Sequence, residues 1–242
     1  MASVLALQNI SKRFGAVVVA DGIDLALGEG EALGIIGPNG AGKTTLFSIA
    51  AGTVAPDSGR VLFAGEDITR LPAERRCRKG LARSFQIPQP FSGMTVFENV
   101  VVAAAFGSGE REPAVYDRCA ELLERCDLAN QANKRAGGLT LLDRKRLELA
   151  RALATKPRVL LLDEVAGGLT EPECAVLVAL IKQVSASGVS IVWIEHVVHA
   201  LLALVDRLLV LHAGKLIADG DPHRVIRNPQ VTEIYMGIAA DV

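Results

Sequence analysis

A chain of 242 residues, 50% of them hydrophobic but only 4% aromatic, has the apolar material for a sizeable aliphatic core and suits a single α/β domain. Its formal net charge of −1 lacks the basic footprint of a nucleic-acid binder. Cys77, Cys119, Cys126 and Cys174 form no C-x-x-C pair, so they read as free thiols rather than a disulfide framework or zinc site.

Apolar runs such as residues 100–106 and 200–205 are too short to cross a bilayer. Met1-Ala2-Ser3-Val4 lacks the basic flank and apolar core of a signal peptide, and a soluble, cytoplasmic chain is expected. From the N-terminus, residues 4–7 and 16–20 suggest short strands, and 23–27 alternate apolar with small or polar groups as a half-buried strand does. The turn Gly28-Glu29-Gly30 leads into an apolar run over 32–36 and a glycine-rich loop. A helix is predicted from Lys43 to residue 51, stopped by Gly52, then the turn Pro56-Asp57-Ser58-Gly59 and a strand over 60–64. Arg70, Arg75, Arg76, Arg78, Lys79 and Arg83 gather around and after Pro72; they read as a solvated helix face, with contact to membrane headgroups or a partner subunit as the alternative.

Residues 87–156 change character, with helical spacing over 96–106, 114–126 and 142–154 that predicts a helical insertion. After Pro157 strand and helix alternate again. Strands are predicted over 159–162 and 190–194, helices over 171–186 and 197–204, then two short strands around Ala213-Gly214 and one or two terminal helices. This order predicts a parallel sheet with helices on its faces, interrupted by a helical segment.

The loop Gly37-Pro38-Asn39-Gly40-Ala41-Gly42-Lys43-Thr44 has the form G-x-x-x-x-G-K-[ST] between a predicted strand and a predicted helix, the context a phosphate-binding loop requires. Glycines let consecutive backbone N–H groups close around an anion, and the following helix turns its unpaired N–H groups and positive dipole end to the same point. Lys43 is placed to reach the β- and γ-phosphates, and the Thr44 hydroxyl to hold Mg²⁺. A second signal is Arg158-Val159-Leu160-Leu161-Leu162-Asp163-Glu164, a buried parallel strand delivering carboxylates at the end where such sheets bind ligands. Asp163 fits a Mg²⁺ ligand and Glu164 a general base for water, against the plainer reading of solvated acids after a core strand.

Together these segments resemble the ATP-binding subunits of the ABC (ATP-binding cassette) transporter family, and the likeness runs over nearly the whole chain. The resemblance implies an α/β P-loop NTPase of the ABC ATPase type, with a mostly parallel core sheet, an N-terminal antiparallel β subdomain and an inserted α-helical subdomain. Residues 1–242 would form one ATP-binding domain, with 1–86 and 157–242 as the nucleotide-binding core and 87–156 as the helical subdomain. ATP and Mg²⁺ are the implied cofactors, the nucleotide lying on Gly37 to Thr44 and Thr45. Phe14, in Lys12-Arg13-Phe14-Gly15, falls where the family stacks a ring on adenine, although a lone Phe is more often a core residue. Gln86 resembles the glutamine at the junction of the two subdomains, whose amide contacts Mg²⁺ or the attacking water. His196, in Ile194-Glu195-His196, resembles the switch histidine that contacts the γ-phosphate, while Glu195 stays open, a solvated charge being the simplest reading.

The family's signature L-S-G-G-Q is replaced by Leu139-Thr140-Leu141-Leu142-Asp143. In the family this stretch touches ATP bound to the opposite subunit. Leu141 and Leu142 add bulk there, and Asp143 is expected to bring negative charge near the phosphates. Val165 and Thr170 stand where a proline and an aspartate are usual, and Thr170-Glu171-Pro172-Glu173 reads as a capping box. These departures favour a heterodimer, with a second ABC ATPase subunit, over a homodimer. The stretch from Ile87 to Val100 and the tail, from Asp219-Gly220-Asp221-Pro222 through Arg227-Asn228-Pro229 to Tyr235-Met236-Gly237, resemble importers of branched-chain and other hydrophobic amino acids. Lipopolysaccharide exporters and urea or amide importers are close alternatives; a soluble non-transport ABC protein or a weakly hydrolysing regulatory cassette is a more distant one. The implied partners are transmembrane permease subunits and, indirectly, a solute-binding protein, with no nucleic acid, and the implied location is the inner face of the cell membrane.

Overall fold

The computed structural model describes residues 3–236, and Gly237 of the tail motif lies outside them. Strands β1 (Ser3–Phe14) and β2 (Val17–Gly28) form a long antiparallel hairpin that turns at Gly15, whose φ is +60°. Where the sequence predicts separate strands over 16–20 and 23–27, the structure has the single strand β2. Asp21 and Gly22 are absorbed as a bulge between the pairs Lys12↔Ala20 and Ile10↔Ile23, and the Gly22 N–H donates to Ser11 Oγ at 3.0 Å. β3 (Ala32–Ile36) precedes α1 (Lys43–Ala51). β4 (Ser58–Phe63) and β5 (Glu66–Asp67) complete an antiparallel sheet of order β2-β1-β4-β5.

α2 (Ala73–Arg78) leads into β6 (Leu81–Arg83), an edge strand too short to show a period in the sequence. Helices α3 (Val96–Ser108), α4 (Tyr116–Arg125) and α5 (Leu141–Ala154) then follow where apolar spacing predicts them. Next come β7 (Val159–Asp163), α6 (Glu171–Ala186), β8 (Ser190–Ile194) and α7 (Val198–Leu202). β9 (Arg207–His212), β10 (Lys215–Gly220), α8 (Pro222–Ile226) and α9 (Pro229–Met236) close the described chain. The second sheet has the order β10-β9-β3-β8-β7-β6 and is parallel apart from the β9–β10 hairpin.

β3, β7 and β8 are buried along their whole length, so they read as unbroken apolar runs, as strands covered on both faces must. Their side chains alternate between two apolar clusters. Leu33, Ile35, Val159, Leu161 and Val192 face the antiparallel sheet and α1; Ala32, Ile36, Leu160, Leu162 and Trp193 face the layer formed by α3, α5, α6 and α7. The neighbouring parallel strands β3, β8, β7 and β6 all end at the same side of the sheet. That side receives the glycine-rich loop after Ile36, Asp163 with Glu164, Glu195 with His196, and Ser84 to Gln86.

Candidate functional site

The loop between β3 and α1 passes too close to its neighbours for any side chain at two of its glycines. A Cβ on Gly37 would lie 2.1 Å from the Leu211 carbonyl oxygen, and one on Gly42 2.1 Å from that of Val19. Gly42 also has a φ of +104° as the residue before α1. Lys43 folds back over the loop, its Nζ donating to Gly37 O at 2.6 Å and Pro38 O at 3.0 Å. Burial lowers the pKa of this amine, and the nearby Glu164 and Asp163 carboxylates oppose the shift.

Asp163 ends β7 at 2% exposure. Its Oδ2 accepts from Arg83 Nη2 at 2.8 Å, while Oδ1 has no hydrogen-bond partner among the described residues. Burial raises the pKa of this carboxyl, and the Arg83 guanidinium counters it. Arg83 also donates to Ser48 Oγ at 3.1 Å and stacks against the rings of Phe47 and Phe85. Arg83 is therefore no part of a solvated helix face. Neither is Arg76, which is buried and donates to the carbonyls of Leu71, Ile49, Ala50 and Thr69. The solvated reading of the basic cluster fails at these two positions because each guanidinium finds tertiary acceptors.

Glu164 turns the chain with a φ of +48°, a left-handed conformation that costs a non-glycine residue about 1–3 kcal/mol. Its N–H is held by Ile194 O at 2.8 Å, and its carboxylate is shared by the Gln86 side-chain amide and by His196 Nε2 at 2.9 Å. Glu195, by contrast, is 1% exposed and points away from solvent. It accepts the backbone N–H groups of Ala166 at 2.6 Å and His196 at 2.9 Å, so it pins the loop after β7 to the loop after β8. Burial pushes its carboxyl pKa up against those hydrogen bonds. The solvated reading of Glu195 is thus corrected.

Asn39 to Thr45, Gln86, Glu164 and His196 line one cleft of about 500 Å³, with Val19 of β2 as a further wall. Gly37, Pro38 and Asp163 are not lining residues themselves; Gly37 and Pro38 join the cleft through the Lys43 amine, near which Asp163 also lies. Two further predicted groups stand apart from the lining residues. Phe14 stands 52% exposed at the hairpin tip with the Lys12 amine over its ring. Leu139 to Asp143 lie at the start of α5, where Thr140 is the N-cap and its Oγ1 accepts the Asp143 N–H at 3.2 Å. Asp143 does not project a free charge. It is buried, and its carboxylate accepts from Thr140 Oγ1 at 2.9 Å, Gln131 Nε2 at 3.0 Å and Arg146 Nη1 at 3.2 Å. Burial would raise its pKa, but those hydrogen bonds together hold it below the usual carboxylate value. Thr170 caps α6 with Glu173, as the sequence predicts. Sequence reasoning misses Arg83 as Asp163's partner; a cation on the strand beside β7, three residues before Gln86, is the only hint available.

A loop of the form G-x-x-x-x-G-K-[ST], a buried carboxylate and a Glu held between an amide and an imidazole thus meet at the carboxyl ends of parallel strands. The family profile described as "ABC transporter" matches residues 20–167. The chain belongs to the ABC transporter family. As an ABC cassette it is 36% identical to the high-affinity branched-chain amino acid transport ATP-binding protein BraF of Pseudomonas aeruginosa, over 98% of both chains. It is 35% identical to LivG of Salmonella typhimurium, which carries the same description, again over 98% of both. The solved ADP conformation of MJ1267, an ATP-binding cassette of an ABC transporter, has a TM-score of 0.90 and 31% identity, covering 98% of this chain and 100% of that one. The cassette is an ATP-binding, ATP-hydrolysing subunit of a transporter. Among the described residues, no helix is long and apolar enough to cross a membrane.

Proposed function

We propose that this cassette energises the import of branched-chain or other hydrophobic amino acids through separate permease subunits, the class of transport named for BraF and LivG. The observation that carries hydrolysis is Glu164, held between Gln86 and His196 at the phosphate-loop cleft. In this reading the backbone N–H groups from Asn39 to Thr45 bind the phosphates, and Lys43 leaves the carbonyls of Gly37 and Pro38 for the γ-phosphate. Glu164 orients and deprotonates the attacking water, Gln86 fixes the Glu164 carboxylate, and His196 leaves the other carboxylate oxygen to donate its Nε2–H toward the γ-phosphate. Phe14, exposed on the hairpin, offers its face to adenine.

Asp163 Oδ1 is a buried acceptor without a partner among the described residues, and an oxygen in that state suits a hard cation. Asp163, Thr44 and Gln86 would hold Mg²⁺, which when bound neutralises charge on the β- and γ-phosphates. Residues 87–156 act as the helical subdomain moving against the core of 1–86 and 157–242. A groove of about 310 Å³ between α2, α3, α5 and β6, with Phe85 on its wall and the 72% exposed Ile87 following, supports docking of a permease beside Gln86. That docking places the subunit at the cytoplasmic face of the membrane. The internally hydrogen-bonded Thr140 and Asp143 support pairing with a second, different cassette. Glu164→Gln tests the assignment: turnover should fall by about 10²-fold or more while ATP binding persists. Unchanged turnover would remove Glu164 from its role.

A further inference from the structure

We propose that Glu148 and Arg151 on α5 clamp the segment from Phe85 to Phe91, so that Gln86 moves with α5 and with the stretch Leu139 to Asp143 at its start; both are positioning residues for the hydrolytic site. The inference rests on the reading of Gln86 as a nucleotide-site residue.

Glu148 is 6% exposed among apolar neighbours on α5. Burying a carboxylate there is costly unless it is paired, and its partners lead straight to the loop. It accepts from Arg151 Nη1 at 2.9 Å and faces the backbone N–H groups of Phe85 and Gln89, the residues that bracket the turn carrying Gln86. Burial pushes this carboxyl's pKa up, while Arg151 and those N–H groups favour its ionised form. Arg151 Nη1 also donates to Gln89 O at 2.9 Å, and its guanidinium lies 5.2 Å from the centre of the Phe91 ring. One carboxylate and one guanidinium, a helical turn apart, therefore engage both the N–H and the C=O of Gln89.

The segment has few other means of support. Pro88 and Pro90 carry no N–H, and the flanking anchors lie at its ends: the Ser84 N–H donates to Leu161 O at 2.9 Å and the Phe91 N–H to Asn99 Oδ1 at 2.8 Å. The middle is held by α5. A continuous line of contacts then runs from Thr140 and Asp143 along about two turns of α5 to Glu148, through the loop to Gln86, and on to Glu164 and His196. Movement at the start of α5 reaches the hydrolytic carboxylate through rigid helix and hydrogen bonds. In this proposal a change at the Gln86 end is felt at the start of α5, a coupling that hydrogen exchange measures.

Hydrogen exchange on the full chain, with and without Mg-ATP, tests this in the wild type, Glu148→Ala, Arg151→Met and Arg151→Lys, with a fluorescent ATP analogue reporting affinity in parallel. In nucleotide-free protein, Glu148→Ala and Arg151→Met should speed exchange at 85–91 by about tenfold, the factor for one lost hydrogen bond to a charged group. Both should also abolish the ATP-dependent change at 139–146, and Arg151→Lys, which keeps a donor for Gln89 O, should restore part of it. A helix that merely lost packing would not lose that remote response selectively. Arg151 is less buried than Glu148, so Arg151→Met carries the test if Glu148→Ala fails to fold. Exchange at 85–91 within about twofold of wild type in the clamp variants overturns the proposal, as does an intact response at 139–146. If the wild type does not bind the analogue, the nucleotide reading fails, and the clamp is still judged on the nucleotide-free exchange.

Discussion

At the scale of single residues, the most consequential contact outside the cleft lining is the Arg83–Asp163 pair. Both side chains are largely buried, at 11% and 4% exposure, so the attraction acts in a medium that screens little. Such a pair contributes little beyond two apolar groups of the same shape, yet breaking one half leaves a stranded charge. Arg83→Met should therefore lower stability by about 3–5 kcal/mol, read from urea unfolding. The double variant Arg83→Met/Asp163→Asn should recover much of that loss, because the stranded carboxylate is gone. Full additivity of the two single losses would show that the pair is not coupled. The cation also stacks on Phe47 of α1 and Phe85 beside Gln86, so Arg83 holds the Asp163 carboxylate, the helix after the glycine-rich loop and the Gln86 segment to one another.

At the scale of elements, the helical layer is joined at its ends by charge. Glu110, just beyond the Gly109 cap of α3, accepts from Arg118 of α4 at 2.9 Å and from Lys156 just past α5. These partners, Lys156 first and Arg118 second, hold its pKa at about 2, against 4.5 in an unperturbed chain. A folded pKa below the unfolded one means that the contribution to stability is present above pH 4.5 and is lost as pH falls toward 2. The urea midpoints of wild type and Glu110→Gln should thus converge as pH is lowered through that window. The carboxylate is partly open to solvent, at 32% exposure, so the difference should also shrink at high salt. Divergence on acidification would contradict the assignment. Caps give these helices a second, local source of definition. Thr140→Ala should cost about 1 kcal/mol by removing the N-cap of α5 and a hydrogen bond to Asp143, measurable as a lowered urea midpoint.

At the scale of the whole molecule, the legible parts of the fold were those with local causes. β7, β8 and α6 follow from unbroken apolar runs and a capping box, and the phosphate loop from glycines that no side chain could replace. What escaped has distant causes: β6 exists only by pairing with β7, and Arg83, Glu195 and Asp143 take their meaning from partners up to 80 residues away. Asp143 bears most on the proposed pairing with a different cassette. Its carboxylate and the Thr140 hydroxyl satisfy each other at the start of α5, and Leu141 stands 43% exposed beside them. Since Thr140 and Asp143 bond to each other, this surface offers a neighbouring subunit's phosphates a poor set of donors, whereas the chain's own cleft keeps its loop, Glu164 and His196 together. A homodimer would combine two good clefts with two poor lids. A partner with a full L-S-G-G-Q would complete this chain's cleft and leave its own cleft facing the poor lid. ATP turnover by the isolated chain should accordingly be low and non-cooperative, and such a partner should raise it by about 10²-fold or more, the usual effect of completing a set of donors around developing charge. In the mixture, Glu164→Gln should abolish turnover, while the corresponding change in the partner should alter it little. Robust turnover by this chain alone, cooperative in ATP, would mean that the start of α5 opens when two copies meet.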